Sequence, residues 1–559
     1  MTEPTAIDAI AARFWEDILA LQPTVATMYG DHRFDDRLED PSAAGRAALR
    51  TRIEEAVAEA DTVPEADLGV EDRITRDMLR IAADLAGREE ELGVHELRAV
   101  NHMDGPQQML PQVLGWQPAD SPEELDALLA RLRAFPEYMD ALADIAREGV
   151  ASGLTASRIV ATRTIDQVRG MLGTPVEASV EVGAARVADG EARDKVVAAV
   201  RDAVRPAEQR YLEMLETVYL PATRDDDHPG LCHMPNGGSL YRYFVKSWTT
   251  LEMDADEIHR IGLEEYASID AERVELARAE GFDTVEAFRS ALEADPSNRA
   301  ATPEELVARA TEDIGRAMAV APQVFGRLPR SSCEVKPVEE YREKDMAFAF
   351  YYPPAADGTR PGAYYVNTYD LPSRNYHKLA STTYHEAVPG HHFQIALEIE
   401  HPNLNVLRRL GSRIVGGAYV EGWGLYSERL ADELGLYRNA AERLGMLDAQ
   451  AWRASRLIVD SGIHGLGWTR RQGIDQLLRT GLSQTDAVIE TDRYISWPGQ
   501  ALCYMLGMRE IRRLRRELEA RDGDRFDLRA FHDEVLGHGS LPLATLAAEL
   551  PGWVAPKAG

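Results

Sequence analysis

Apolar residues recur every three or four positions over long stretches of this chain, which is the repeat of an amphipathic α-helix. The pattern is strongest at 10–22, 121–149, 194–220 and 253–281. The second stretch opens with Ser-x-x-Glu, the signature of a capping box. A chain of 559 residues also exceeds the size at which a single core stops growing. The sequence therefore predicts a mainly α-helical protein with two lobes or two domains.

The helical pattern stops between residues 221 and 239. This segment, PATRDDDHPGLCHMPNGGS, is rich in Pro, Gly and Asp, which favour turns and loops. We place a boundary here. It divides an N-terminal helical half, 1–230, from a C-terminal half, 231–559, that carries the candidate catalytic site described below.

One region has the pattern of β-strands. The segments 332–338, 346–354 and 362–371 are short, aromatic and β-branched, with turn residues between the last two. They predict a small antiparallel sheet just before the helix that carries His385. The last segment is also a candidate to pair with an extended peptide as an added strand, with Asn367 binding a backbone group of that peptide.

Charge and cysteine content exclude several classes of partner. The net charge of -31, without a basic stripe, argues against binding nucleic acid. No apolar run reaches the roughly 18–20 residues needed to cross a bilayer, and the acidic start of the chain does not resemble a signal peptide. The three cysteines, Cys232, Cys333 and Cys503, are widely spaced. They indicate a reducing compartment, so we expect a cytoplasmic protein. The oligomeric state is left open.

The stretch HEAVPGHHFQ, residues 385–394, begins like the zinc-peptidase signature H-E-x-x-H, but its second histidine comes late. On an unbroken helix His391 lies about 120° away from His385 around the axis, and His392 lies roughly 10 Å further along it. Neither can share one metal ion with His385, because ligand nitrogens sit about 2.1 Å from zinc. A straight helix therefore cannot hold the metal here.

Pro389 and Gly390 offer a solution to this spacing. Proline has no N–H to bond back to the carbonyl of His385, and glycine tolerates backbone angles that other residues avoid. A local bulge that absorbs two residues brings His391 into the ligand position, whereas absorbing three brings in His392. We favour His391 because the distortion is smaller. Glu386 then has the position of a general base.

A third ligand is expected, since a hydrolytic zinc site usually has three protein ligands and one open position. Glu421, in the stretch VEGWG at 420–424, is the candidate; this stretch looks like the one that supplies the glutamate ligand in gluzincin aminopeptidases. Glu428, two turns further along the same helix face, is a candidate ligand or outer partner. The mixed nitrogen and oxygen set favours one Zn²⁺ per chain.

The chain resembles the family of domain of unknown function 885 (DUF885). The match is carried by 362–394, 419–435, 456–472 and 493–511, and the string H-E-x-x-P-G-H-H is specific to that family. Weaker similarity covers nearly the whole length. The resemblance implies a relationship to zincin peptidases such as carboxypeptidase Taq and thimet oligopeptidase. It implies a helical body split by a deep channel, with zinc at its floor and a short sheet on one wall.

Further candidate residues lie C-terminal to the metal ligands. Asp460 and His464 are spaced i and i+4, so the carboxylate is a candidate to orient the imidazole. Thimet-type peptidases use a tyrosine and a histidine in this part of the chain, which implies catalytic roles for Tyr504 and His464. Arg493 is a candidate to bind a substrate carboxylate or carbonyl, and His392 a candidate to contact substrate.

These observations predict a zinc-dependent metallopeptidase that hydrolyses short peptides, with Glu386 as general base. Two alternatives remain. One keeps the metal but hydrolyses a non-peptide amide or an ester. The other is a peptide-binding helical protein without turnover. Metal content separates this last alternative from the two enzymes, and a panel of peptides and non-peptide amides separates the enzymes from each other.

Overall fold

The computed structural model describes residues 4–188, 190–339, 343, 346–355, 358–410 and 416–555. Helices dominate these residues. Those before the sheet are α1 Ala6–Leu21, α2 Pro23–Met28, α3 Ala43–Ala60, α4 Val70–Leu92, α5 Val94–Arg98, α6 Pro106–Trp116, α7 Pro122–Ser152, α8 Arg158–Gly173, α9 Val180–Ala184, α10 Glu191–Ala199, α11 Arg205–Met214, α12 Gly237–Thr249, α13 Ala255–Ala279, α14 Val285–Ala294 and α15 Pro303–Val320.

Those after the sheet are α16 Tyr376–Glu386, α17 His391–Ile399, α18 Val406–Leu410, α19 Ala418–Glu433, α20 Ala440–His464, α21 Arg470–Leu478, α22 Gln484–Ser496, α23 Cys503–Asp522, α24 Leu528–Gly537 and α25 Leu543–Trp553. The prediction of a mainly α-helical protein is confirmed. The predicted capping box is also present at the start of α7, where Ser121 and Glu124 satisfy each other's backbone N–H groups. No described helix has the length and apolarity needed to cross a membrane.

The small sheet is mixed, and the prediction of an antiparallel sheet is wrong. Its strands are β1 Cys333–Pro337, β2 Ala349–Tyr352 and β3 Gly362–Val366, in the order β1-β3-β2. The hairpin partners β2 and β3 are antiparallel, but β1 pairs parallel to β3. Because β3 is central, both of its edges are already paired. It therefore cannot accept a peptide as an added strand, contrary to our expectation for this segment.

Four clusters of buried apolar side chains form the cores, the smallest of them between α13, α14 and α20. One joins α4 and α12 to the sheet, to α16 and to α19 and α23. Another packs α6–α11 against α20–α22, and a smaller one lies among α1, α3 and α4. The first two clusters contain residues from both sides of position 230. The division into 1–230 and 231–559 stays a prediction.

The candidate ligands lie on three helices, His385 on α16, His391 on α17 and Glu421 on α19. α16 packs against α20, and α19 lies across both α16 and α23. The contact between α19 and α23 is close because Gly422 faces Gly507, and a Cβ on Gly507 would lie 1.9 Å from the carbonyl oxygen of Ala418. This approach places Tyr504, in the first turn of α23, beside the candidate metal centre.

Candidate metal centre

The chain leaves the helix between the two candidate histidines. α16 ends at Glu386 and α17 begins at His391, so residues 387–390 are not helical. The predicted interruption at Pro389 and Gly390 is thereby confirmed, although it is a complete break between two helices and not a bulge within one. Trp423 of α19 donates its indole N–H to the carbonyl of Pro389 at 2.8 Å, which holds the break against α19.

The break brings three side chains to one point. The Nε2 atoms of His385 and His391 lie 3.3 and 3.4 Å from the same Glu421 carboxylate oxygen. Ligand atoms held about 2.1 Å from a tetrahedral zinc ion are roughly 3.4 Å apart. Each nitrogen therefore lies at the distance from the Glu421 oxygen that two ligands of one zinc ion have. Their donor set of two imidazoles and one carboxylate also fits zinc.

An outer carboxylate orients the first histidine. His385 Nδ1 donates to Glu428 at 2.8 Å, which leaves Nε2 directed at Glu421. Glu428 is fully buried on α19, and its second oxygen accepts a hydrogen bond from Gln450 of α20 at 3.1 Å. Metal-binding histidines commonly donate their other N–H to such a carboxylate. Of the two roles predicted for Glu428, these contacts correspond to the outer partner.

Without a metal ion, His385 is held in its protonated form and Glu421 in its ionised form, so a cation that binds here replaces the proton on His385 Nε2. Burial would lower the pKa of His385, but its bonds to Glu421 and Glu428 outweigh this and raise it to about 9. Burial also opposes ionisation of Glu421, yet the bonds to His385 and His391 hold its pKa well below the ordinary value. Glu421 also lies in the first turn of α19, where the helix dipole stabilises an anion. A divalent cation supplies the positive charge that these carboxylates attract.

Glu386 lies beside the three ligands. Its carboxylate is within 4.8 Å of the ligand nitrogens of His385 and His391. Burial raises its pKa, while the neighbouring histidines act in the opposite direction. Among the residues that the structure describes, no side chain donates a hydrogen bond to this carboxylate. It is therefore available to accept a proton from another molecule in the site.

Gly424 makes room for both imidazoles. It lies one turn after Glu421 on α19, and a Cβ added there would lie 2.8 Å from His385 Nε2 and 2.9 Å from His391 Cε1. Both distances are shorter than any normal contact, and the two rings are packed edge to face at 4.7 Å. A side chain at position 424 would therefore displace the ligands.

We expect Gly424→Ala to weaken zinc binding by about 10- to 100-fold, the effect usual for disturbed support around a metal. Alanine itself favours the helix by up to about 1 kcal/mol, so the fold should persist. Gly315→Ala, on α15 with open space around the glycine, is the matched control and should leave zinc affinity unchanged. Competition with a fluorescent zinc chelator measures both. Equal affinity in the two variants would contradict the placement of the imidazoles.

Tyr504 lies against His385, one of the candidate ligands, as its predicted role requires. Its ring stacks on His385 at 6.2 Å between centroids, with an angle of 25°. Burial raises the pKa of its hydroxyl, so Tyr504 is a proton donor at neutral pH. The catalytic role stays a prediction.

The structure does not bring His464 to this cluster, and Asp460 does not orient it. Both ring nitrogens of His464 contact backbone groups, the carbonyl of Tyr494 at 3.0 Å and the N–H of Leu231 at 3.4 Å. Asp460 accepts hydrogen bonds from the Tyr241 hydroxyl and from the N–H of Gly499. Burial lowers the pKa of His464 to about 4, so the ring is neutral. The i, i+4 spacing places both residues on one helix face, but this face meets α12 and the start of α23.

The side chains of Asn367 and His392 are also hydrogen-bonded to other groups of the protein. Asn367 is fully buried at the end of β3, and its amide donates to the carbonyls of Met346 and Ala347. His392 points away from the cluster, as predicted, but its Nε2 donates to the carbonyl of Ser331 and its Nδ1 accepts from Tyr351 of β2. The role of these two side chains in contacting substrate stays a prediction.

Arg493 lies near Tyr504 with its guanidinium already engaged. It contacts both oxygens of Glu490 at 3.2 and 3.3 Å and the Gln500 side chain at 2.5 Å. Its role in binding substrate stays a prediction.

Sequence reasoning missed two arginines next to Tyr504. The guanidinium carbon of Arg456 lies 4.3 Å from the centroid of the Tyr504 ring, and that of Arg453 lies 5.8 Å from it. Both belong to α20, in the stretch AQAWRASRLIVD. The available signal was two arginines, one turn apart, in a helix that is otherwise apolar on both sides of them. Buried arginines are uncommon without a specific partner.

A cavity of about 440 Å³ lies elsewhere, between α17, α24 and the segment after α15. Its lining includes Arg327, Arg330, Glu400 and Asp533, and none of the candidate ligands. The deep channel implied by the family resemblance stays a prediction.

The fold and the candidate centre describe a helical protein with a His-Glu-His-Glu cluster at a helix break. The chain belongs to the DUF885 family, described as bacterial proteins of unknown function, which it matches over residues 23–550. Two solved structures are similar. A "putative lipoprotein" from Colwellia psychrerythraea is 29% identical, with a TM-score of 0.88 and 98% of each chain covered. A "putative lipoprotein of unknown function" from Shewanella oneidensis is 19% identical, with a TM-score of 0.79, and 98% of this chain and 100% of that chain are covered. No curated protein matches.

Proposed function

We propose that this protein is a zinc-dependent peptidase that hydrolyses short peptides. The observation that carries the proposal is the convergence of His385 Nε2, His391 Nε2 and one oxygen of Glu421, at 3.3 and 3.4 Å, with the Glu386 carboxylate beside them. Two histidines, a carboxylate ligand and an adjacent free glutamate form the usual residue set of a hydrolytic zinc site. The likeness to zincin peptidases, which rests on the sequence motif, supports the same reading.

The residues have separate tasks in this proposal. His385, His391 and Glu421 would hold the ion, and Glu428 keeps His385 in the tautomer that binds it. Zinc, when bound, polarises the scissile carbonyl and lowers the pKa of water. Glu386 takes a proton from the attacking water and returns it to the leaving amine. The hydroxyl of Tyr504, whose ring stacks on His385, would donate a hydrogen bond to the negative charge that develops on the carbonyl oxygen.

Metal removal and restoration test the proposal. Protein purified without chelator should contain close to one equivalent of zinc per chain by elemental analysis. Chelation should abolish the hydrolysis of a mixed peptide library, followed by mass spectrometry, and zinc should restore it. A parallel panel of non-peptide amides and esters should be hydrolysed far more slowly. If these are the better substrates, the protein is a metallohydrolase of another class; if zinc-loaded protein hydrolyses nothing, it is not an enzyme of this kind.

The location of the protein enters this proposal only as an expectation. The three cysteines are free in the structure, as a reducing compartment predicts. The two similar structures are named as lipoproteins. The cytoplasmic location stays a prediction from the sequence.

A further inference from the structure

One face of α20 points at the metal centre and carries the two arginines. Gln450, Arg453 and Arg456 follow one another at intervals of three residues, so neighbouring members of the set lie side by side and the set spans about 120° of the helix surface. Gln450 contacts Glu428, the outer partner of His385, and Arg456 lies against Tyr504. Arg453 lies between these two positions along the helix. The arginines therefore border the site on this side.

This corner of the protein has more positive than negative charge. Glu490 is shared by Arg456 at 3.2 Å and by Arg493 at 3.2 Å, and it also accepts from the hydroxyl of Tyr494. Within the described part of the chain, no carboxylate lies within 4.0 Å of the Arg453 guanidinium. Arg456 and Arg493 thus share one carboxylate and Arg453 pairs with none of those described, in a protein whose net charge is -31.

Two donor atoms in this corner are buried without an acceptor. They are Nε of Arg453 and Nη1 of Arg456. The side chain of Arg456 is only 3% exposed and is held between the rings of Trp452 and Tyr504, each 4.3 Å away. Buried donors without a partner can take an acceptor from a ligand, and these two lie at the border of the site. A planar group with two oxygens suits the fork of an arginine.

The distance from Arg453 to His385 determines how far an acceptor bound at Arg453 would lie from a peptide bond at the candidate metal centre. The His385 ring lies 6.2 Å from the Tyr504 ring, and the Tyr504 ring lies 5.8 Å from Arg453. Taken together, these two distances mean that about three residues of extended peptide, at roughly 3.3 Å per residue, would reach from His385 to Arg453. A carboxylate at Arg453 therefore belongs to the same peptide, a short way beyond the bond at the metal.

We propose that Arg453, supported by Arg456, binds the free C-terminal carboxylate of the peptide, so that the protein removes one to three residues from that end. This rests on the proposed peptidase function. In the reaction, water adds its hydroxyl to the scissile carbonyl carbon and a proton to the amine nitrogen as the C–N bond breaks. The N-terminal fragment leaves as a carboxylic acid, and the short C-terminal fragment leaves with its carboxylate on Arg453.

Penta-alanine tests the proposal as the free acid and as the C-terminal amide, each with a free and an acetylated N-terminus. For the zinc-loaded wild type, amidation should lower kcat/KM at least about 100-fold, as expected for a lost charge-assisted pair in a closed site. N-acetylation should change it less than threefold. Arg453→Ala should lose activity on the free acid and so remove the discrimination, and Arg453→Lys should restore part of it. Arg443→Ala, an exposed position on the same helix, is the control and should match wild type.

Binding supplies a readout that needs no turnover. Calorimetry on chelator-treated protein should show tighter binding of the free acid than of the amide, and Arg453→Ala should abolish the difference. Equal or undetectable binding of both peptides overturns the carboxylate assignment. An equal loss of activity on acid and amide in Arg453→Ala also overturns it, because Arg453 would then act on the reaction itself. If zinc-loaded protein cleaves no peptide while the binding difference stands, the peptidase function fails and the carboxylate site remains.

Discussion

Glu386→Gln is expected to lower peptide hydrolysis by about 10²- to 10⁴-fold, the usual contribution of a positioned general base, and to leave zinc content unchanged. The amide keeps the size and the position of the side chain but cannot take a proton. Glu421 contacts both Nε2 atoms and Glu428 contacts Nδ1 of His385, whereas Glu386 forms no ion pair with either histidine in the described structure. Single-turnover kinetics together with elemental analysis of the same sample measure both quantities.

The control for this variant is Glu428→Gln, on the outer side of His385. Glu428 orients the imidazole and does not face the reacting bond, so the amide should reduce zinc affinity by about 10- to 100-fold and activity in proportion. Saturating zinc should then recover most of the activity of Glu428→Gln and none of that of Glu386→Gln. Undiminished hydrolysis by Glu386→Gln would place the general base elsewhere.

The helix break could be predicted from the sequence because it follows from local covalent chemistry. Pro389 removes a helical hydrogen bond at a known position, and an interruption that absorbs two residues is the smallest that brings His391 to the face of His385. Glu421 could also be predicted, from a short motif on the following helix. These features depend on neighbours in the chain. The structure has them where they were expected.

The features that the sequence did not predict all depend on packing between distant segments: the pairing in the sheet and the surroundings of His464 and Asn367. The order β1-β3-β2, with β1 parallel to β3, arises in the folded sheet and is not encoded in the strand patterns. For His464, the helical spacing correctly places it on one face with Asp460, but that face meets other helices. Asn367 has a side chain of a type that often binds ligands, but here its amide donates hydrogen bonds to the carbonyls of Met346 and Ala347. Side-chain type alone does not distinguish these roles.

Arg453 and Arg456 are a different case. The sequence shows two arginines in a largely apolar helix, but it does not show which groups they contact. Two arginines in a buried apolar helix indicate specific partners. Which partners they have depends on α22 and α23, more than thirty residues later in the chain. Only the folded arrangement shows that Glu490 serves Arg456 and Arg493 and leaves Arg453 beside the metal centre.

The two adjacent histidines of α17 should respond in opposite ways to replacement by alanine. His391→Ala removes a nitrogen that lies 3.4 Å from Glu421, so zinc binding should fall by more than the roughly 100-fold produced by losing an outer partner. His392→Ala removes hydrogen bonds to Ser331 and Tyr351, so it should keep zinc and lose stability, by about 1–3 kcal/mol for the carbonyl and hydroxyl left unpaired. Zinc titration and denaturant unfolding of both variants measure the two effects.

Tyr351→Phe separates the stability effect of His392 from any effect on the metal. It removes only the hydroxyl that bonds to His392 Nδ1, so it should reproduce part of the stability loss of His392→Ala and none of the zinc loss of His391→Ala. Because His391 and His392 are neighbours, a general disturbance of α17 would lower zinc affinity in both alanine variants. Loss of zinc confined to His391→Ala therefore assigns the ligand, whereas loss confined to His392→Ala would mean that the chain absorbs three residues at the break and that the arrangement of α17 is different.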